Sequence, residues 1–173
     1  MSHHQRGHGL GTVAVGGVFS FELVRNGEVI DTWHEHNLVT TEGLNHLLNV
    51  AFKAGTQSGT WYVGLFEGNY TPVAGDTAAT FVAAATESTA YDETSRQLWN
   101  TDAVSAGVVN NGTNKAIFTI SATKTLYGMF LTSASAKSAT SGTLFSATRF
   151  SSARNVLDND ELRVTYTLTA TSA

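Results

Sequence analysis

The sequence predicts a mainly-β, single-domain fold: a β-sandwich or jelly-roll-like domain with one amphipathic helix at about residues 41–54 and an extended N-terminal arm. Three observations predict it. Several short runs alternate apolar and polar residues with a period of two, as strands with one buried face do. Only the window opening at Thr41 shifts to the helical period of 3.6. No strand–helix–strand alternation recurs, which argues against a parallel α/β architecture. The 173 residues suit one domain with a sizeable core. No repeat or linker marks a second domain, so the β-sandwich is assigned to residues 18–173 and the arm to residues 1–17.

The arm holds five glycines, and half of its other residues are His, Ser, Gln and Arg. It cannot bury a core of its own. It is expected to lie extended on a neighbouring subunit, with its own domain as the alternative. The first strand follows, with Phe19, Phe21 and Leu23 alternating with Ser20 and Glu22. Asn26-Gly27 then signals a type I′ hairpin turn, whose two central residues need positive φ. The return strand, Glu28 to His36, places Val29, Asp31, Trp33 and Glu35 on one face and Ile30, Thr32, His34 and His36 on the other.

From Thr41, the residues Leu44, Leu47, Leu48, Ala51 and Phe52 share one helix face, which is expected to cover the core. On that reading Leu48→Asp unfolds the domain, since each large buried side chain stabilises by roughly 1.5–3 kcal/mol. Thr40 or Thr41 can cap the helix, Glu42 complements its dipole and Gly55 can close it. Residues 60–66 form a strand and residues 67–76 a loop. Residues 77–90, rich in Ala and Thr, fit a helical turn or irregular coil equally well. Strands are expected at 115–121, 125–133, 143–150 and 161–170. The last is the clearest, with Leu162, Val164, Tyr166 and Leu168 alternating with Arg163, Thr165, Thr167 and Thr169.

Charged residues make up 14% of the chain, against about 25% on average. Small polar residues replace them, a surface suited to a protein packed against partners. The net charge is −4 and no basic stripe appears, so no nucleic-acid partner is expected. No apolar run approaches the roughly 18–20 residues of a membrane-spanning helix, and no membrane partner is expected. With no cysteine, thiolate metal sites and disulfides are excluded.

The candidate chemistry is thin. His34 and His36 could point the same way, but a zinc site needs a third ligand, and the HExxH pattern fails at Leu38. No GxSxG elbow occurs. The carboxylate clusters Asp92/Glu93 and Asp158/Asp160/Glu161 sit in turns, which select Asp for backbone reasons. No catalytic, cofactor or metal residue is assigned. The aromatics Trp61, Tyr62, Phe66, Tyr70, Tyr91 and Trp99 fit a core plus an oligomer interface, or a sugar-binding platform.

Three segments carry a resemblance: "NLVTTEGLNHLLNVAF", "TWYVGLFEGNYTPVAGDTAATF" and "ESTAYDETSRQLW". Over about residues 37–99 the chain resembles virion proteins of tailed bacteriophages, including a Y-x-E-x-x-R pattern matched by Tyr91, Glu93 and Arg96. The resemblance implies a structural virion component without enzymatic activity or cofactor, made in the host bacterial cytoplasm. Within that class the compact size suggests a capsid decoration or cement protein on the capsid surface. Its expected partners are the major capsid protein and copies of itself, as a homo-oligomer. The alternatives are a tail, collar or fibre-adaptor protein, or a carbohydrate-binding β-module. The interface candidates are Arg6, Leu10, Val13 and Val15 on the arm, with Tyr70, Pro72 and Tyr91 in the middle third.

Overall fold

A computed structural model describes residues 11–172. The chain folds as the expected mainly-β single domain, two antiparallel sheets packed face to face. The first sheet is built on a long hairpin. Strand β1 (Val13–Arg25) turns at Asn26 (φ 52°) and Gly27 (φ 82°) into β2 (Glu28–His36), the two positive φ angles that the type I′ turn requires. The last strand, β11 (Glu161–Ser172), lies along the other side of β1, with Val13 opposite Ser172 and Val24 opposite Glu161. Two short strands, β7 (Val108–Asn110) and β8 (Ala116–Thr119), share the far edge of β11. Residues 111–115 loop out between them. The buried Asn111 amide fills the gap: its Oδ1 accepts from the Tyr166 N–H at 2.7 Å, and its Nδ2 donates to the Val164 carbonyl at 3.2 Å. A side chain thereby replaces a missing rung of the ladder.

The second sheet runs in the order β3 (Leu38–Val39), β10 (Leu144–Val156), β9 (Lys124–Thr132), β4 (Tyr62–Phe66) and β5 (Glu87–Ser88), with β6 (Gln97–Leu98) also on β4. The main core lies between the sheets. Phe19, Phe21, Leu23, Phe118, Leu162, Val164 and Tyr166 enter from the first, and Val63, Leu65, Met129, Leu131, Phe145 and Phe150 from the second. Within β1, β4, β9 and β11 their spacing of two is the alternation that the sequence displays, whereas Phe145 and Phe150 stand five apart on the irregular β10.

A smaller core lies on the opposite face of the second sheet, beneath helix α2 (Ala78–Ala85). Two glycines make it possible. Gly64 stands opposite Phe130 and Gly128 opposite Phe66 in the antiparallel register of β4 and β9. A Cβ at Gly64 would meet the Phe130 ring at 2.4 Å, and one at Gly128 would meet the Phe66 ring at 2.1 Å. Each ring lies over the opposing glycine, and Phe81 of α2 packs against both rings at 5.6 and 5.3 Å.

Helix α1 (Thr41–Phe52) sits at one end of the sandwich against β10. Its first turn is fixed at several points. The Thr40 side chain accepts from the Gly43 N–H at 3.0 Å and donates to the Leu144 carbonyl at 2.5 Å. Glu42 Oε2 accepts from the Leu144 and Ala78 N–H groups at 2.6 and 2.9 Å. Gly43 is pressed onto Phe145, where a Cβ would lie 2.4 Å from the carbonyl oxygen.

Three expectations need correction. The arm was expected to run through residue 17, but Val13–Gly17 belong to β1 and pair with β11 of the same chain; residues 1–10 lie outside the described residues. One helix was expected, and the described residues contain two. The third concerns α1. The side turned inward carries Gly43, His46, Leu47 and Val50, while Leu44, Leu48, Ala51 and Phe52 are exposed. Only Leu47 of the expected buried stripe packs against the core. The close approach at Gly43 dictates this rotation: the face without a side chain is the only one that fits against the β10 backbone.

Candidate functional site

The rotation of α1 leaves an apolar stripe facing outward. Leu44 is 39% exposed, Leu48 56% and Phe52 78%. They lie at i, i+4 and i+8, with Ala51 beside them, so they form one continuous ridge about 12 Å long. Single exposed apolar residues are ordinary, but a row of them on one helix face marks a contact surface. The ridge is held rigidly, because the Thr40, Glu42 and Gly43 contacts fix both the direction and the rotation of the helix. Asn45 and Asn49, both exposed, flank it, and no acidic or basic side chain interrupts it between Glu42 and Lys53.

Among the described residues, the interface candidates suggested by the sequence do not form one patch. Arg6 and Leu10 lie outside the described residues. Val13 is 73% exposed at the tip of the β1–β11 ribbon, whereas the half-buried Val15 packs against the main core. The Tyr70 hydroxyl donates to Asp76 Oδ1 at 2.7 Å, which raises the phenol pKa, and its ring meets Phe81 edge-on at 5.8 Å. Pro72, half-buried, lies in the same loop. Tyr91 is only 2% exposed and packs edge-on against Phe118 at 5.0 Å, so its side chain is spent in the core. Burial raises its pKa, the nearby Glu87 carboxylate adding to the effect.

The Y-x-E-x-x-R residues all take architectural roles. Glu93 accepts from the N–H and hydroxyl of Thr119. Arg96, 1% exposed, pairs with Glu87 through two hydrogen bonds of 2.8 and 2.7 Å. It also donates to the Ala134 and Ala139 carbonyls at 3.0 Å each, and its guanidinium lies 5.1 Å from the centre of the Phe130 ring. Lys137, in the same loop, donates to the Thr89 and Tyr91 carbonyls and rests 3.7 Å from the Tyr91 ring centre. Burial lowers its pKa, against the pull of Glu93 and Glu87.

The remaining candidates have identifiable partners or none. His34 and His36 are exposed on the outer face of β2. Among the described residues, no three His, Asp, Glu or Cys side chains form a group able to hold a metal ion. Asp160 pairs with Arg25 at 2.8 Å, and Glu161 with Arg163 at 2.7 Å, while Asp92 and Asp158 are exposed. The aromatic group divides. Phe66 and Tyr70 belong to the small core under α2, whereas Trp61 and Trp99 meet at the end of the sandwich beside α1.

The sequence missed the exposed ridge because it read apolar spacing as burial. The signal that could have found it is Gly43, a glycine inside a helix, which marks a close backbone approach. No protein-family model matches the chain, and no curated protein matches its sequence.

Proposed function

We propose that this protein is a structural component of a tailed-phage particle, a capsid decoration or cement protein that attaches through the outward ridge of α1. The observation that carries the attachment is the exposure of Leu44, Leu48 and Phe52 on a helix whose first turn is fixed to the body of the fold. Covering three such side chains removes apolar surface from water at roughly 25 cal/mol per Å². A standard specific interface needs about 800 Å² from each partner, so the ridge serves as the centre of a larger contact. The low charge of the chain supports the same reading, since little charge has to be desolvated when neighbours close around it. The resemblance over residues 37–99 supplies the phage context, and it includes the whole of α1. Many copies held in a shell would add avidity to a modest single contact.

The test is the composition of intact particles combined with a variant of the ridge. Quantitative mass spectrometry should count copies in the hundreds, as shell decoration requires; a dozen or fewer would place the protein in the tail instead. Phe52→Asp should leave the purified domain folded while stripping the protein from the particle. Full occupancy by this variant would remove α1 from the attachment surface.

A further inference from the structure

Trp61 and Trp99 stand opposite each other at the start of the β4–β6 ladder, where the Trp99 backbone N–H donates to the Trp61 carbonyl at 2.8 Å. Two cavities meet at this pair. One, about 130 Å³, is lined mainly by apolar side chains of α1 and of both sheets, among them Leu47, Leu131, Phe145 and Leu168. The other, about 350 Å³, is lined in part by the hydroxyl and amide side chains of Gln57, Ser58, Thr60, Asn100 and Thr101. Both are lined by Gln57, Trp61 and Trp99, so they form one cleft with an apolar part and a more polar part.

The chemistry of the cleft narrows its occupant. No Lys, Arg, Asp or Glu lines either part, which disfavours phosphate, carboxylate and ammonium ligands. The amides of Gln57 and Asn100 are exposed and make no hydrogen bond to another described residue, so each can donate and accept at once. The half-buried Trp61 is held edge-on by Phe145 at 5.5 Å and by His46 at 5.3 Å, which fixes an indole wall at the junction. A flat ring with C–H groups on one face and hydroxyls at its edge matches an aromatic wall with uncommitted amides beside it. The apolar part of the cleft, lined by Leu47, Val50, Leu131, Phe145 and Leu168, suits a short apolar substituent.

We propose that this cleft binds an N-acetylated hexosamine of a glycan, with the pyranose ring on Trp61 and the acetamido methyl in the apolar part of the cleft. The site lies on the inward side of α1, opposite the Leu44–Phe52 ridge, so sugar binding does not depend on the virion reading and does not compete with attachment through the ridge.

The test titrates the full chain with the trimer of N-acetylglucosamine, followed by tryptophan fluorescence and by amide chemical shifts. Saturable binding is expected, with shifts centred on Trp61, Gln57 and Asn100. Cellotriose, which carries hydroxyls in place of the acetamido groups, should bind at least about tenfold more weakly, the effect of losing one well-placed apolar contact. Trp61→Ala should weaken trimer binding by about tenfold or more. Gln57→Ala, an exposed position that cannot disturb the core, should weaken it several-fold and keeps the test valid if the tryptophan variant fails to fold. No saturable response up to about 10 mM trimer, equal affinity for cellotriose, or unchanged affinity in Gln57→Ala would each overturn the proposal.

Discussion

Arg96 illustrates how a single residue can be both buried and necessary. Its guanidinium is satisfied by one carboxylate, two carbonyls and a ring face, and Glu87 is held in turn by the Ser138 N–H at 2.8 Å. This one side chain therefore joins the 87–96 segment to the 133–142 loop. Arg96→Ala would leave Glu87 charged and unpaired in a dry site, at a cost of about 3–5 kcal/mol. Arg96→Lys should recover little of that, because an ammonium cannot make two parallel bonds to Glu87 while reaching both carbonyls. Urea denaturation of the two variants measures both effects, and a loss under about 1 kcal/mol for Arg96→Ala would contradict the role given to the network. Asp160 makes a pH-dependent counterpart. The hydrogen bond from Arg25 holds its carboxyl below the usual range, against the opposing effect of burial, and the Leu157 N–H adds to the lowering. A carboxyl with a depressed folded-state pKa contributes stability that is fully present above its unfolded value of about 4 and lost as pH falls through the folded one. Thermal melts between pH 6 and 2 should show wild type losing more stability below about pH 4 than Asp160→Asn does. Parallel curves would show that the ion pair contributes nothing to acid sensitivity.

At the scale of elements, legibility followed how local the determining physics was. The Asn26-Gly27 turn was readable because its positive φ angles are a requirement of two adjacent residues. The limits of α1 were readable from its period, its Thr40 cap and its closing glycine, and Gly55 does bond back to the Asn49 carbonyl. Its rotation was not readable, because that depends on Gly43 meeting Phe145 across 102 positions of sequence. Helix α2 escaped for a different reason. The segment AATFVAAA has too few polar residues to show a period, although Thr77 and Thr80 bond to each other at its start as capping residues do. The rotated α1 reverses an expectation about stability. Leu48→Asp, which would unfold a domain that buried this residue, should cost less than about 1 kcal/mol at a position 56% exposed. Denaturant melts decide it, and a loss of several kcal/mol would mean that the ridge faces the core. The cleft was half legible: Trp61 and Trp99 stood out as aromatics, but their meeting depends on strand pairing that no local pattern announces.

The whole molecule is organised around β1 and β11, the longest continuous pairing in the structure. It runs from the Arg25–Asp160 pair near two turns to the Val13–Ser172 pair at the opposite tip. The second sheet is covered on both faces, by the first sheet and by α2, so its strands carry apolar residues such as Phe130 and Met129 on successive positions. The first sheet exposes one face, and its strands alternate apart from the bulge at Leu23/Val24. This difference explains why residues 161–170 were the most transparent strand in the sequence and residues 125–133 among the less transparent. Partners in an antiparallel ladder lie about 5 Å apart, so the backbone at residue 13 and that at residue 172 are neighbours. The path of the chain through the domain is thus almost a closed circuit. A linker of a few residues from 172 to 13, with the chain opened between Gly55 and Thr56, should give a circular permutant with the same spectrum and a melting temperature within a few degrees of the parent. The same adjacency means that a peptide or fluorophore grafted beyond either residue would emerge from one corner of the molecule, so two labels attached there would report on each other at close range.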